Sequence, residues 1–71
     1  MSKVTYALYA KAMRSDREIK AGEWVMCWNF DDEKTARALA AARKDVGTIR
    51  LVKHFYQDGQ LINTEVMDYY H

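Results

Sequence analysis

The chain has no proline, three glycines and a single cysteine in 71 residues. A lone Cys27 excludes an internal disulfide and fits a reducing compartment. Without Pro, and with Gly22, Gly47 and Gly59 scattered singly, there is no linker-like or low-complexity stretch and no Gly-rich phosphate loop. Charge of one sign is also missing. Eleven Lys and Arg against ten Asp and Glu leave a formal +1, too little for a general pull toward nucleic acid or an anionic membrane. No apolar run approaches the ~20 residues of a membrane span, and Met1–Tyr6 enters strand-like alternation without a signal-peptide core. A soluble, cytoplasmic, single domain over residues 1–71 is expected.

What is present is aromatic. Two Trp, five Tyr and two Phe favour dense packing in a chain close to the lower size limit for one hydrophobic core. Residues 4–12 alternate, with Val4, Tyr6, Leu8, Ala10 and Ala12 on one side, which predicts a half-buried strand. Residues 13–22 lose the pattern and predict a polar loop carrying Arg14, Arg17 and Lys20. Residues 23–30 predict a second strand with Trp24, Met26, Trp28 and Phe30 inward. Asp31 and Asp32 are N-cap types ahead of a helix whose inward stripe is Ala36, Leu39, Ala40 and Val46 and whose natural stop is Gly47.

Asp58-Gly59 marks a type I′ hairpin turn between strands 48–56 and 60–67. Pairing Gln57 with Gln60 sets Phe55 opposite Ile62, Lys53 opposite Thr64 and Leu51 opposite Val66 on one face. The other face then carries Arg50–Met67, Val52–Glu65, His54–Asn63 and Tyr56–Leu61. The tail Asp68–His71 either extends the last strand or frays. The whole reads as an α+β domain of β-β-α-β-β order. It has a four-stranded antiparallel sheet, strand order 2-1-3-4, with one helix on one face. The expected core is Met26, Trp28, Phe30, Leu39, Ile49, Leu51 and Val66.

Catalytic and metal chemistry find little support. Cys27 and His54 fall on the uncovered face, but no orienting group or cleft-forming loop accompanies them. With His71 the only other histidine, no zinc-ligand spacing exists. Asp31, Asp32 and Glu33 are explained by helix capping. No enzyme activity and no cofactor are expected.

One helix cannot cover both faces of such a sheet. The uncovered face, with Tyr9, Arg50, Val52, His54, Tyr56, Leu61 and Met67, is rich in the residue types of interface centres. It is therefore expected to meet a protein partner or a second copy in a homodimer. Small nucleic-acid binding is the alternative: Tyr9, Tyr56 and His54 beside Lys11 and Arg50 match a stacking platform, while Glu65 on the same face opposes it.

The run Asp32-x3-Ala36-x2-Leu39-Ala40, then Gly47-Thr48-Ile49-Arg50-Leu51, then Asp58-Gly59 resembles small phage-encoded anti-CRISPR proteins, type I inhibitors of similar length and element order. The likeness spans about residues 4–66. It implies a protein that binds a CRISPR surveillance complex in the host cytoplasm and blocks access to target DNA. Arg37 is the residue it places at a basic helix position.

Overall fold

The computed structural model describes the chain except residues 13–14, 16–18 and 44–46. The elements are β1 (Ser2–Lys11), β2 (Trp24–Phe30), α1 (Glu33–Ala42), β3 (Ile49–Gln57) and β4 (Gln60–Tyr70). The four strands form one antiparallel sheet of order β2-β1-β3-β4, the expected α+β arrangement. The tail extends the last strand to Tyr70.

Of the two candidate caps, Asp32 is the one used. Its backbone is extended, and its carboxylate accepts from the Thr35 N–H at 2.8 Å and the Thr35 hydroxyl at 2.7 Å. Those hydrogen bonds favour the charged carboxylate and lower its pKa. Asp31 turns instead toward Lys3, 3.5 Å away. The helix stops earlier than Gly47: its last residue is Ala42, and the Arg43 N–H closes the final turn on the Leu39 carbonyl at 2.9 Å. Val46, expected on the inward stripe, lies outside the described residues. Ala36 and Ala40 are fully buried, and their small side chains let the helix lie close on β1, β2 and β3.

The core is Leu8, Ile49, Leu51, Ala36 and Ala40, with Tyr6, Trp28, Phe30, Leu39, Met67 and Tyr70 packed against it. Leu8 sits at its centre, paired to Trp28 on one side and Leu51 on the other. Trp28, Phe30, Leu39, Ile49 and Leu51 therefore stand where the alternation puts them. Met26 and Val66 do not, and the reason is in the register.

Three residues have no opposite number in the sheet: Cys27 in β2, and Ile62 and Met67 in β4. Each is a β-bulge, and one extra residue inverts the inside-outside sense of everything beyond it. The bulge at Cys27 leaves Trp28 and Phe30 on the helix side but turns Trp24 and Met26 outward, Met26 opposite Tyr9. In the hairpin, Asp58 and Gly59 have φ of 51° and 83°, as a type I′ turn requires, and Gln57–Gln60 and Tyr56–Leu61 pair as expected. Beyond Ile62 the partners change: Phe55–Asn63, His54–Thr64, Lys53–Glu65 and Val52–Val66. Glu65 is thereby moved to the helix face and Val66 to the open one. The second bulge restores the original sense. Met67 packs on the core rather than on the open face, and Asp68, Tyr69 and Tyr70 stand opposite Leu51, Arg50 and Ile49.

Candidate binding face

The sheet face away from the helix is built by alternate residues of all four strands. Register places Thr5 beside His54, Ala7 beside Val52 and Tyr9 beside Arg50, then His54 beside Thr64, Val52 beside Val66, Arg50 beside Tyr69 and Tyr56 beside Leu61. After the bulges, none of the strand residues on this face is acidic, whereas Lys3, Lys11 and Arg50 all belong to it.

The floor of this face is buried. Ala7 is fully covered, and Thr5, Val52 and His54 are 5, 6 and 5 % exposed. Long side chains from the rim cover it. Trp24 comes from one edge strand and Tyr69 from the other, and their rings meet edge to face at 6.2 Å across two intervening strands. Beneath them lies the Arg50 guanidinium, 4.0 Å from the Trp24 ring centre and 5.4 Å from that of Tyr69. The positive charge is thus held against two π-faces. Among the described residues no carboxylate lies within 4 Å of it, and its Nε is buried with no acceptor.

Next to this stack runs a row of three rings. Tyr9 and His54 lie 5.9 Å apart at 18°, and His54 and Tyr56 6.2 Å apart at 27°. Tyr9 Oη and His54 Nε2 share a hydrogen bond at 3.1 Å. His54 Nδ1 and Thr5 Oγ1 are buried without partners. Burial lowers the His54 pKa below its ordinary 6.5. Burial, with the nearby Tyr56, raises that of Tyr9. At neutral pH His54 is uncharged and Tyr9 protonated. Tyr9, Trp24, Arg50, Val52, His54, Thr64 and Val66 line a shallow depression of about 240 Å³.

Six expected partner-binding residues come together here: Tyr9, Arg50, Val52, His54, Tyr56 and Leu61. Met67 is a correction, since it packs on the core from the other side. Arg37 lies on the helix, where Nε donates to Glu33 at 2.8 Å and Nη1 donates to Asp68 at 3.2 Å and to the Tyr70 hydroxyl at 3.0 Å. These bonds tie α1 to β4 and raise the Arg37 pKa still further. Trp24, Met26, Val66 and Tyr69 join the face without having been expected on it. Only the bulges put three of them there, and Tyr69 needed the tail to be strand.

Cys27 does not reach His54; its thiol donates to the Val25 carbonyl at 3.5 Å while His54 bonds to Tyr9. Among the described residues no three His, Cys, Asp or Glu side chains gather as a metal site, and no helix is long and apolar enough to cross a membrane. No family model matches the chain, and no curated protein or solved structure matches it either.

Proposed function

We propose that this chain is a non-enzymatic protein-binding module whose open sheet face is the working surface. One observation carries the reading. Met26, Leu61 and Val66, exposed at 50, 49 and 47 %, share with a Trp24–Arg50–Tyr69 stack a sheet face that no helix covers. Aromatic, Met and Arg side chains grouped around a desolvated centre are the composition of interface hot spots. The molecule is flat, 38 × 27 × 14 Å, and its broad side offers more than the ~800 Å² per partner of a standard interface.

Single-stranded nucleic acid is the second reading, and the loss of Glu65 from the face favours it. The rings themselves argue the other way. A base needs a free π-face to stack on, but Arg50 covers one face of Trp24 and His54 is buried and bonded to Tyr9. Among protein partners, the resemblance to anti-CRISPR inhibitors nominates a CRISPR surveillance complex of a host. We place the work of the chain in the cytoplasm, where the exposed thiol of Cys27 stays reduced.

The test is capture of purified type I surveillance complex and of host-lysate proteins by tagged wild type, Val66→Asp, Leu61→Asp and, as a helix-surface control, Lys34→Glu. Capture lost in the two face variants and kept in the control supports the reading. Capture unaffected by either face variant refutes it. Val52→Asp does not serve, because Val52 is buried in the floor of the face and a carboxylate there would unfold the domain.

A further inference from the structure

The chemistry of the partner is constrained by what the open face lacks. We infer that this face takes a foreign protein segment carrying carboxylates among apolar or aromatic residues, with one carboxylate seated on the Arg50 guanidinium between Trp24 and Tyr69. The inference rests on the open face being the protein-binding surface.

Three observations lead there. Arg50 is a half-buried cation with neither hydrogen bond nor ion pair among the described residues, and its Nε is buried without an acceptor. A partly desolvated charge left unpaired is costly, and an arriving anion relieves that cost. The guanidinium is also held in place before binding, at 4.0 Å from the Trp24 ring, so little ordering is needed to use its fork. The contrast with Arg37 is direct: that side chain already has two carboxylates and a tyrosine hydroxyl on it, so its charge is compensated within the fold.

The surroundings choose the kind of anion. Val52, Val66 and Tyr9 line the depression beside Arg50, so the group that fills it brings apolar surface along with its charge. Peptide segments mixing Glu or Asp with Tyr, Leu or Met have both. A nucleic acid brings charge too, but its bases stack on open rings, and here Arg50 covers one face of Trp24 while His54 is buried. A second copy of this chain fits poorly. Two open faces set against each other would confront Arg50 and Lys11 with like charges and with no strand carboxylate to meet them.

The probes are three defined polymers: a random Glu,Tyr copolymer, a Lys,Tyr copolymer of equal length, and a dT20 oligonucleotide. The readout is the pair of tryptophan indole N–H resonances, because Trp24 lies on the open face and Trp28 against the helix-side core. Expected is a shift of the Trp24 signal with the Glu,Tyr copolymer and none of Trp28. Affinity should fall at least about tenfold in Arg50→Gln, and Lys53→Gln on the opposite face should leave it unchanged. Arg50→Lys, which keeps the charge without the planar fork, should fall between. Circular dichroism on each variant separates loss of binding from loss of fold. Failure of the Glu,Tyr copolymer to bind at 100 µM, or equal binding by Arg50→Gln, overturns the inference. If the Lys,Tyr copolymer moves Trp24 instead, the face binds proteins but not acidic ones, and only the inference fails. If dT20 alone binds, or if light scattering shows a dimer that Tyr69→Lys splits, the face belongs to nucleic acid or to a second copy. The inference is then overturned; with dT20 the protein-binding reading also falls.

Discussion

Neighbouring substitutions at Val66 and Met67 distinguish a bulged last strand from a regular one. In an unbroken register Val66 would face the core and Met67 the solvent. In the structure Met67 packs on the core and Val66 is 47 % exposed on the opposite face. Threonine at both sites keeps a strand-favouring side chain, so intrinsic preference largely cancels. Met67→Thr removes most of a partly buried apolar side chain, worth about 1.5–3 kcal/mol when fully buried, and puts a hydroxyl against the core. A loss of about 2 kcal/mol is expected. Val66→Thr changes one half-exposed methyl to hydroxyl and should cost under about 0.5 kcal/mol. Urea unfolding measures both. With a slope of about 1 kcal/mol/M for a domain this small, Met67→Thr should lower the midpoint by about 2 M and Val66→Thr by less than about 0.5 M. Intrinsic fluorescence reports from both faces at once, through Trp28 and Trp24. The reverse ranking, with Val66→Thr the damaging change, would refute the bulge and the composition of the open face that depends on it.

Leu51→Ala, at a fully buried site, should cost about 2–5 kcal/mol. That is a large part of the 4–10 kcal/mol or so that a chain of this length commands; a midpoint close to wild type would mean the core is elsewhere. Asp32→Ala should lose about 1 kcal/mol through its cap, about 4–8 °C in melting temperature. Asp31→Ala should lose far less, and equal losses would show that the wrong aspartate has been assigned. Because burial holds the folded His54 pKa below 6.5, the unfolded chain takes up this proton first as the pH falls. Stability should decline as pH drops below about 6.5 and level off below the folded pKa. His54→Gln should remove that segment of the curve between pH 7 and 5, whereas parallel wild-type and variant curves would contradict a buried neutral imidazole.

The hairpin shows how far sequence reading reaches. Asp58-Gly59 determines its turn because only residues tolerant of positive φ fit both central positions, and the pairs nearest that turn follow from it. Strand and helix order, and the burial of Leu51, Trp28 and the Ala36–Ala40 stripe, are likewise local: each is written in a period of two or of 3.6. The bulges are not. An inserted residue leaves no mark on hydrophobic alternation, and the two in β4 cancel, so both ends of the strand obey the pattern while its middle is inverted. Tertiary contacts decide such inversions. The displaced segment places Glu65 opposite Lys53 on the helix face, lets Met67 fill space against the core, and precedes the return that brings Asp68 and Tyr70 to Arg37. The same packing made Arg37 a structural tie and freed the open face of acid. The Trp24–Arg50–Tyr69 stack joins residues 24, 50 and 69, which only the sheet order and its bulges bring together.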